Sequence, residues 1–172
     1  VLREMNRHYT RRDYLRIVER LREAVEGVGL STDLIVGFPG ETDKDFEATL
    51  ELVSEVDYDS FYSFKYSPRP DTAALSYANT LPAKTKRERL VELQELQRRI
   101  QTRKNREWEG RTVEVLVDSF SRKTTDDVSG RTSSNQIVNF TGNQELIGTL
   151  VDVEIIRSGA HSLYGEVRND SR

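Results

Sequence analysis

Tyr14, Val18, Leu21 and Val25 recur at helical spacing behind a Thr10 and Asp13 pair of capping-box type, and Gly27 and Gly29 end the run. The pattern predicts an amphipathic helix. Leu30 to Phe38 follows as a short, mostly apolar run closed by Pro39 and Gly40, as expected of a buried parallel strand. Thr42 and Asp45 repeat the capping box, and Phe46, Leu50 and Val53 then share one helical face. Tyr58 to Ser67 reads as a second strand, closed by Pro68, Arg69 and Pro70. Pro82 opens a long polar helix reaching about Trp108, with Leu90, Leu93, Leu96 and Ile100 along one side. That stripe spans too few heptads for a coiled coil and fits a packed connector.

Helix, strand, helix, strand is the rhythm of a βα-repeat sheet or barrel, yet only two strands are predicted. A parallel sheet needs neighbouring strands and cover on both faces, so this segment is expected to be the end of a longer α/β domain that starts before Val1. Beyond Gly110 the pattern changes. Thr112 to Asp118, Gln136 to Phe140, Gly148 to Ile156 and Ser162 to Val167 are short β-rich runs between turn residues, the signature of a small antiparallel barrel close to an OB-fold. The expected fold class is therefore α/β followed by all-β, with the domains at 1–108 and 109–170.

Among 172 residues there is no cysteine, which excludes disulfides, thiolate zinc sites and ordinary iron-sulfur ligation by this chain. The two histidines, His8 and His161, are too far apart in sequence to suggest a metal site, and no metal or catalytic residue is assigned. No apolar run suits a membrane span and no signal peptide is evident, so a cytoplasmic protein without a membrane partner is expected. Net charge is −3, with 19 basic and 19 acidic residues before Trp108 and 7 against 10 after it. Any contact with nucleic acid must rest on a local patch.

On the strand from Leu30, alternation puts Leu30, Leu34, Val36 and Phe38 on one face and Ser31, Asp33, Ile35 and Gly37 on the other. The second face carries a carboxylate in what is expected to be a buried setting, where a charge needs a partner or a ligand. Asp33 can serve either as a hydrogen-bonded structural carboxylate or as a group facing a ligand. Gly37 and Gly40 can be simple turn residues or can let a ligand approach the backbone closely.

Asp33-Leu-Ile-Val-Gly-Phe-Pro-Gly-Glu41 resembles the fifth-strand motif of radical-SAM enzymes in its methylthiotransferase version, which departs from the general superfamily form at its first residue and in the spacing of its Glu. Met5-Asn-Arg-His-Tyr-Thr10, Phe64-Lys-Tyr-Ser-Pro-Arg-Pro70 and Ser129-Gly-Arg-Thr132 extend the likeness over most of the chain, and Asp71-Thr-Ala73 departs from it where the family usually has Gly-Thr-Pro. The chain is thus similar to the carboxy-terminal part of the radical-SAM tRNA methylthiotransferases: the end of a partial βα barrel, followed by an RNA-binding TRAM barrel. Met5 to Thr10, Tyr66 to Pro70 and Gln136 to Phe140 look most like the MiaB type, which attaches a methylthio group to an isopentenyl-modified adenosine beside the anticodon. Sister types act on threonylcarbamoyl-adenosine or on a ribosomal protein, and an RNA-binding module without an enzymatic parent is a further alternative.

The resemblance implies S-adenosylmethionine and two iron-sulfur clusters in a parent protein, with the cluster ligands on a missing amino-terminal part and the tRNA anticodon stem-loop as partner. It suggests Asp33, Ile35, Gly37 and Phe38, with Tyr66 and Ser67 on the next strand, as one wall of the cofactor pocket. In the TRAM-like barrel, Arg122, Lys123, Arg131 and Arg157 are candidate phosphate contacts, and Asn135 and Asn139 are candidate base readers. Arg131 is expected in a turn-rich segment between Gly130 and Thr132. Phe140 is expected in the core, with base stacking as its other possible role.

Overall fold

The structure is a computed structural model that describes residues 1–77, 80–121 and 126–168. It divides into two compact units, Val1–Ile100 and Gln101–Arg172.

In the first unit, α1 (Arg11–Ala24) and α2 (Asp43–Val56) each begin with a complete capping box, Thr10 with Asp13 and Thr42 with Asp45. Each threonine and aspartate thereby satisfies amide groups that a helix start leaves unpaired. β1 (Ser31–Val36) and β2 (Ser60–Lys65) pair in parallel, with Asp33 opposite Tyr62 and Ile35 opposite Phe64. Their starts are tied by the Leu30 N–H, which donates to the Asp59 carboxylate at 2.7 Å. Among the described residues β1 pairs with β2 alone, leaving its other edge open. α3 (Ala83–Arg106) follows, and Leu93 is fully buried with Leu90, Leu96 and Ile100 packed around the same core. That core joins Val18, Val36, Phe46, Val53, Val56, Tyr58 and Phe61 from both helices and one face of the sheet. Tyr58 donates its hydroxyl hydrogen to the Tyr14 hydroxyl at 2.7 Å, and burial, reinforced by that bond, pushes the Tyr58 phenol far above its ordinary range.

The second unit is a closed barrel of β3 (Thr112–Phe120), β4 (Asp127–Arg131), β5 (Ile137–Thr141), β6 (Leu150–Ser158) and β7 (Leu163–Val167), in the order β3-β4-β5-β7-β6. Its pairs are antiparallel except β5 with β7, which run parallel where the barrel closes. Val115, Val117, Val128, Val138, Phe140, Val153, Ile155 and Leu163 fill the interior.

The structure corrects two expectations. Ser129 to Thr132 is not a turn-rich segment: Ser129, Gly130 and Arg131 lie in β4, and Arg131 pairs with both Leu116 and Ile137. Gly130 looks like turn chemistry, but it is needed because β3 passes so closely that a Cβ there would lie 2.4 Å from the Leu116 carbonyl oxygen. Asp33, expected to be buried, is exposed, because only the opposite face of the two-stranded sheet is covered by helices.

Candidate cofactor wall and nucleic-acid interface

β1 ends in a loop whose shape is imposed by a glycine and a carboxylate. Gly37 has φ of +73°, a left-handed value that side chains disfavour, and its N–H donates to a Glu41 carboxylate oxygen at 2.9 Å. The other Glu41 oxygen accepts from Arg89 of α3, whose second nitrogen reaches Asp43 at 2.6 Å. Both Glu41 and Arg89 are buried. Burial works against the Arg89 charge, but its hydrogen bonds to the Asp43 and Glu41 carboxylates outweigh it and hold the guanidinium pKa above its ordinary value. The β1–α2 loop is therefore fixed from behind by an ion-pair network.

The six residues proposed for the cofactor wall differ in exposure. Asp33 and Ile35 stand on the uncovered face of the sheet, beside their β2 partners Tyr62 and Phe64, which are 70% and 51% exposed. Phe38, just past β1, is buried edge-on against Tyr66 and Tyr77, at 5.2 and 6.2 Å between ring centres. The Tyr66 N–H donates to the Val36 carbonyl at 2.8 Å, extending the β2 pairing past Lys65. Its ring lies 5.4 Å below the Lys86 ammonium, while its hydroxyl is buried without a hydrogen-bond partner among the described residues. Ser67 is exposed. Arg89, Lys86 and Glu41 escaped the sequence reading because their roles depend on α3 folding back over the β1–α2 loop.

On the barrel, Arg131 is exposed at the end of β4, donating to the Asn135 side-chain oxygen at 2.8 Å, with Asp118 at 3.5 Å. Asn135 takes a left-handed φ of 66° in the tight turn before β5. Asn139 and Arg157 lie elsewhere, on an outward row completed by Tyr164. The Arg157 guanidinium sits 4.1 Å from the centre of the Tyr164 ring. Phe140 is 2% exposed and belongs to the core, so it offers no stacking surface. Arg122 and Lys123 lie outside the described residues.

Residues 1–53 match the Radical SAM superfamily and residues 106–167 match the TRAM domain. A tRNA-2-methylthio-N(6)-dimethylallyladenosine synthase of Clostridium novyi (strain NT) is 46% identical over 167 residues, covering 97% of this chain and 37% of the relative. The protein of the same name from Solibacter usitatus (strain Ellin6076) is 48% identical over 170 residues, covering 96% of this chain and 38% of the relative. The chain thus carries the end of a Radical SAM domain followed by a TRAM domain, and along nearly its whole length it is similar to these synthases.

It spans somewhat more than a third of the length of these relatives. The open face of β1 and β2 presents an apolar surface from Ile35 and Phe64 beside the Asp33 carboxylate, and the Gly37 loop presents backbone at the strand end. With no cysteine among its 172 residues, the chain offers no thiolate ligand to an iron-sulfur cluster. No helix among the described residues is long and apolar enough to cross a membrane.

Proposed function

We propose that this chain is the carboxy-terminal part of a cytoplasmic enzyme that methylthiolates an isopentenyl-modified adenosine next to the tRNA anticodon. The observation that carries the reading is identity of 44–48% to synthases of that name along 96–97% of the chain, across both the α/β unit and the barrel. In such a protein, bound S-adenosylmethionine and two iron-sulfur clusters held by upstream cysteines supply the radical and sulfur chemistry. The residues of this chain bind and orient. Asp33 and Ile35 contact the adenosyl group, the Gly37 backbone closes the strand end of the pocket, Phe38 and Tyr66 brace that loop from behind, and Ser67 lies at the pocket rim. On the barrel, Arg131 and Arg157 face the anticodon stem-loop with Asn135 and Asn139.

Nucleoside mass spectrometry on tRNA from cells lacking the gene tests this. Loss of the methylthiolated isopentenyl-adenosine, with accumulation of its unthiolated precursor, is expected. Loss of a methylthiolated threonylcarbamoyl-adenosine instead would move the protein to the sister type, and an unchanged nucleoside profile would remove the enzymatic reading.

A further inference from the structure

The geometry points to the paired side chains of Arg157 and Tyr164 as a stacking platform for an unpaired RNA base, with Arg157 acting through its flat guanidinium and not as a phosphate contact. This rests on the RNA-binding reading of the barrel and specifies which face is used and which form of RNA it takes.

Three observations converge. The first is a β-bulge in β6: Ile155 pairs with Gly165 and Arg157 pairs with Tyr164, so two steps along β6 match one along β7. Strict alternation after inward Ile155 would turn Arg157 inward too, and the extra residue, Ile156, turns it out to solvent beside Tyr164. The second is the guanidinium itself, 4.1 Å from the Tyr164 ring centre. A cation held at that distance covers one side of the ring and offers its own outer side to a further planar group.

The third is the distribution of charge around the platform. The strand register places Ser129, Asn139, Tyr164 and Arg157 in one outward row across β4, β5, β7 and β6. The row towards one end of the barrel holds Asp127, Thr141, Glu166 and Glu154, where phosphates are repelled. The other end holds Arg131 and Ile137, beside the turn that contains His161. A single strand can run its phosphates along the Arg131 side while a base turns over Asn139 onto Arg157. The Asn139 amide, both donor and acceptor, is placed to read the edge of that base. In a duplex the base faces are already stacked, so the platform selects unpaired RNA.

The test uses the 172-residue chain with a short single-stranded RNA carrying 2-aminopurine and with the same sequence as a duplex, titrated over a range of salt. Tighter binding of the single strand is expected, with 2-aminopurine fluorescence changing on binding. R157K keeps the charge and removes the plane. It should weaken single-strand binding roughly tenfold with the salt slope unchanged, whereas R131A should lower the slope by about one unit. Y164L should repeat the R157K loss, and R157K, at an exposed position, covers the case in which Y164L fails to fold. Unchanged single-strand affinity in R157K would overturn the stacking platform and leave RNA binding by the barrel standing. If the unaltered chain binds neither RNA form, both the platform and the RNA-binding reading fall.

Discussion

Arg89 of α3 and Glu41 of the β1–α2 loop form an ion pair whose side chains are only 7% and 6% exposed. Arg11, by contrast, pairs with Glu51 and Glu55 at 3.0 and 2.8 Å on an open surface. Burial decides what each is worth. Removing Arg89 leaves Glu41 buried without its counter-charge and frees the Gly37 loop that Glu41 holds. Arg89→Met is expected to destabilise the first unit by about 3–5 kcal/mol, whereas Arg11→Ala should cost no more than about 1 kcal/mol. Urea unfolding of both variants checks this, and equal small losses would show that the buried pair does not hold the loop.

Acid should loosen the two helix starts together. The Thr10 hydrogen bonds hold Asp13 below the ordinary aspartate pKa of 3.8, and those of Thr42 do the same for Asp45. A carboxylate with a depressed folded pKa adds stability that is present in full above its unfolded value and is lost as pH falls through the folded one. Stability should therefore be level above pH 3.8 in respect of these groups and decline below it. Asp45→Asn should lower stability at neutral pH and flatten the acid decline. A decline of the same steepness in that variant would place the proton uptake elsewhere.

Element type was legible wherever a local rule governs it. Both capping boxes stand where Thr10, Asp13, Thr42 and Asp45 mark them, and the predicted parallel pairing of the first two strands is present. What escaped depends on a distant neighbour. β4 was hidden because the glycine of Ser129-Gly130-Arg131 is a turn signal in sequence and a close-approach residue in the barrel. The burial of Asp33 was misjudged because alternation gives the two faces of a strand without saying which one is covered. Phe140 lies in the core as its place in the strand pattern indicates, but Tyr164 on the outer row carried no sequence mark, since strand order and the bulge in β6 decide which rings face out. Nor does Arg89 carry any local mark, because its partners Glu41 and Asp43 lie more than forty residues earlier.

Anaerobic reconstitution of this chain with iron and sulfide should give no stoichiometric cluster, and the chain alone should not cleave S-adenosylmethionine, because thiolate ligands are absent from its 172 residues. Adding the cysteine-bearing remainder of the parent protein should restore both. Iron and sulfide analysis reads the result, and a stoichiometric cluster on this chain would contradict the division of labour proposed here.

The barrel should be least tolerant of added bulk at Gly130 and Gly165, where the interstrand spacing is set by backbone and not by a movable side chain. A Cβ at Gly130 would stand 2.4 Å from the Leu116 carbonyl oxygen and 2.6 Å from a Val115 methyl group, and one at Gly165 would stand 2.4 Å from a Val153 methyl and 2.5 Å from the Glu154 carbonyl oxygen. Neither carbonyl can retreat without loosening a ladder that closes the barrel, since β3 pairs with β4 and β6 pairs with β7 at these points. Overpacking of this kind costs about 1–3 kcal/mol where neighbours can shift, and backbone neighbours put both positions at the upper end or beyond. Gly148 supplies the comparison. Its left-handed φ of +88° penalises any side chain, but nothing among the described residues lies within 4 Å of a Cβ there. Gly148→Ala should therefore cost only about 1 kcal/mol of backbone strain. Trp108 packs against the barrel core and is the only tryptophan, so its fluorescence follows unfolding of this unit. Gly130→Ala and Gly165→Ala should each move the urea midpoint down further than Gly148→Ala, and the reverse order would mean that the strands part more easily than their close approach implies.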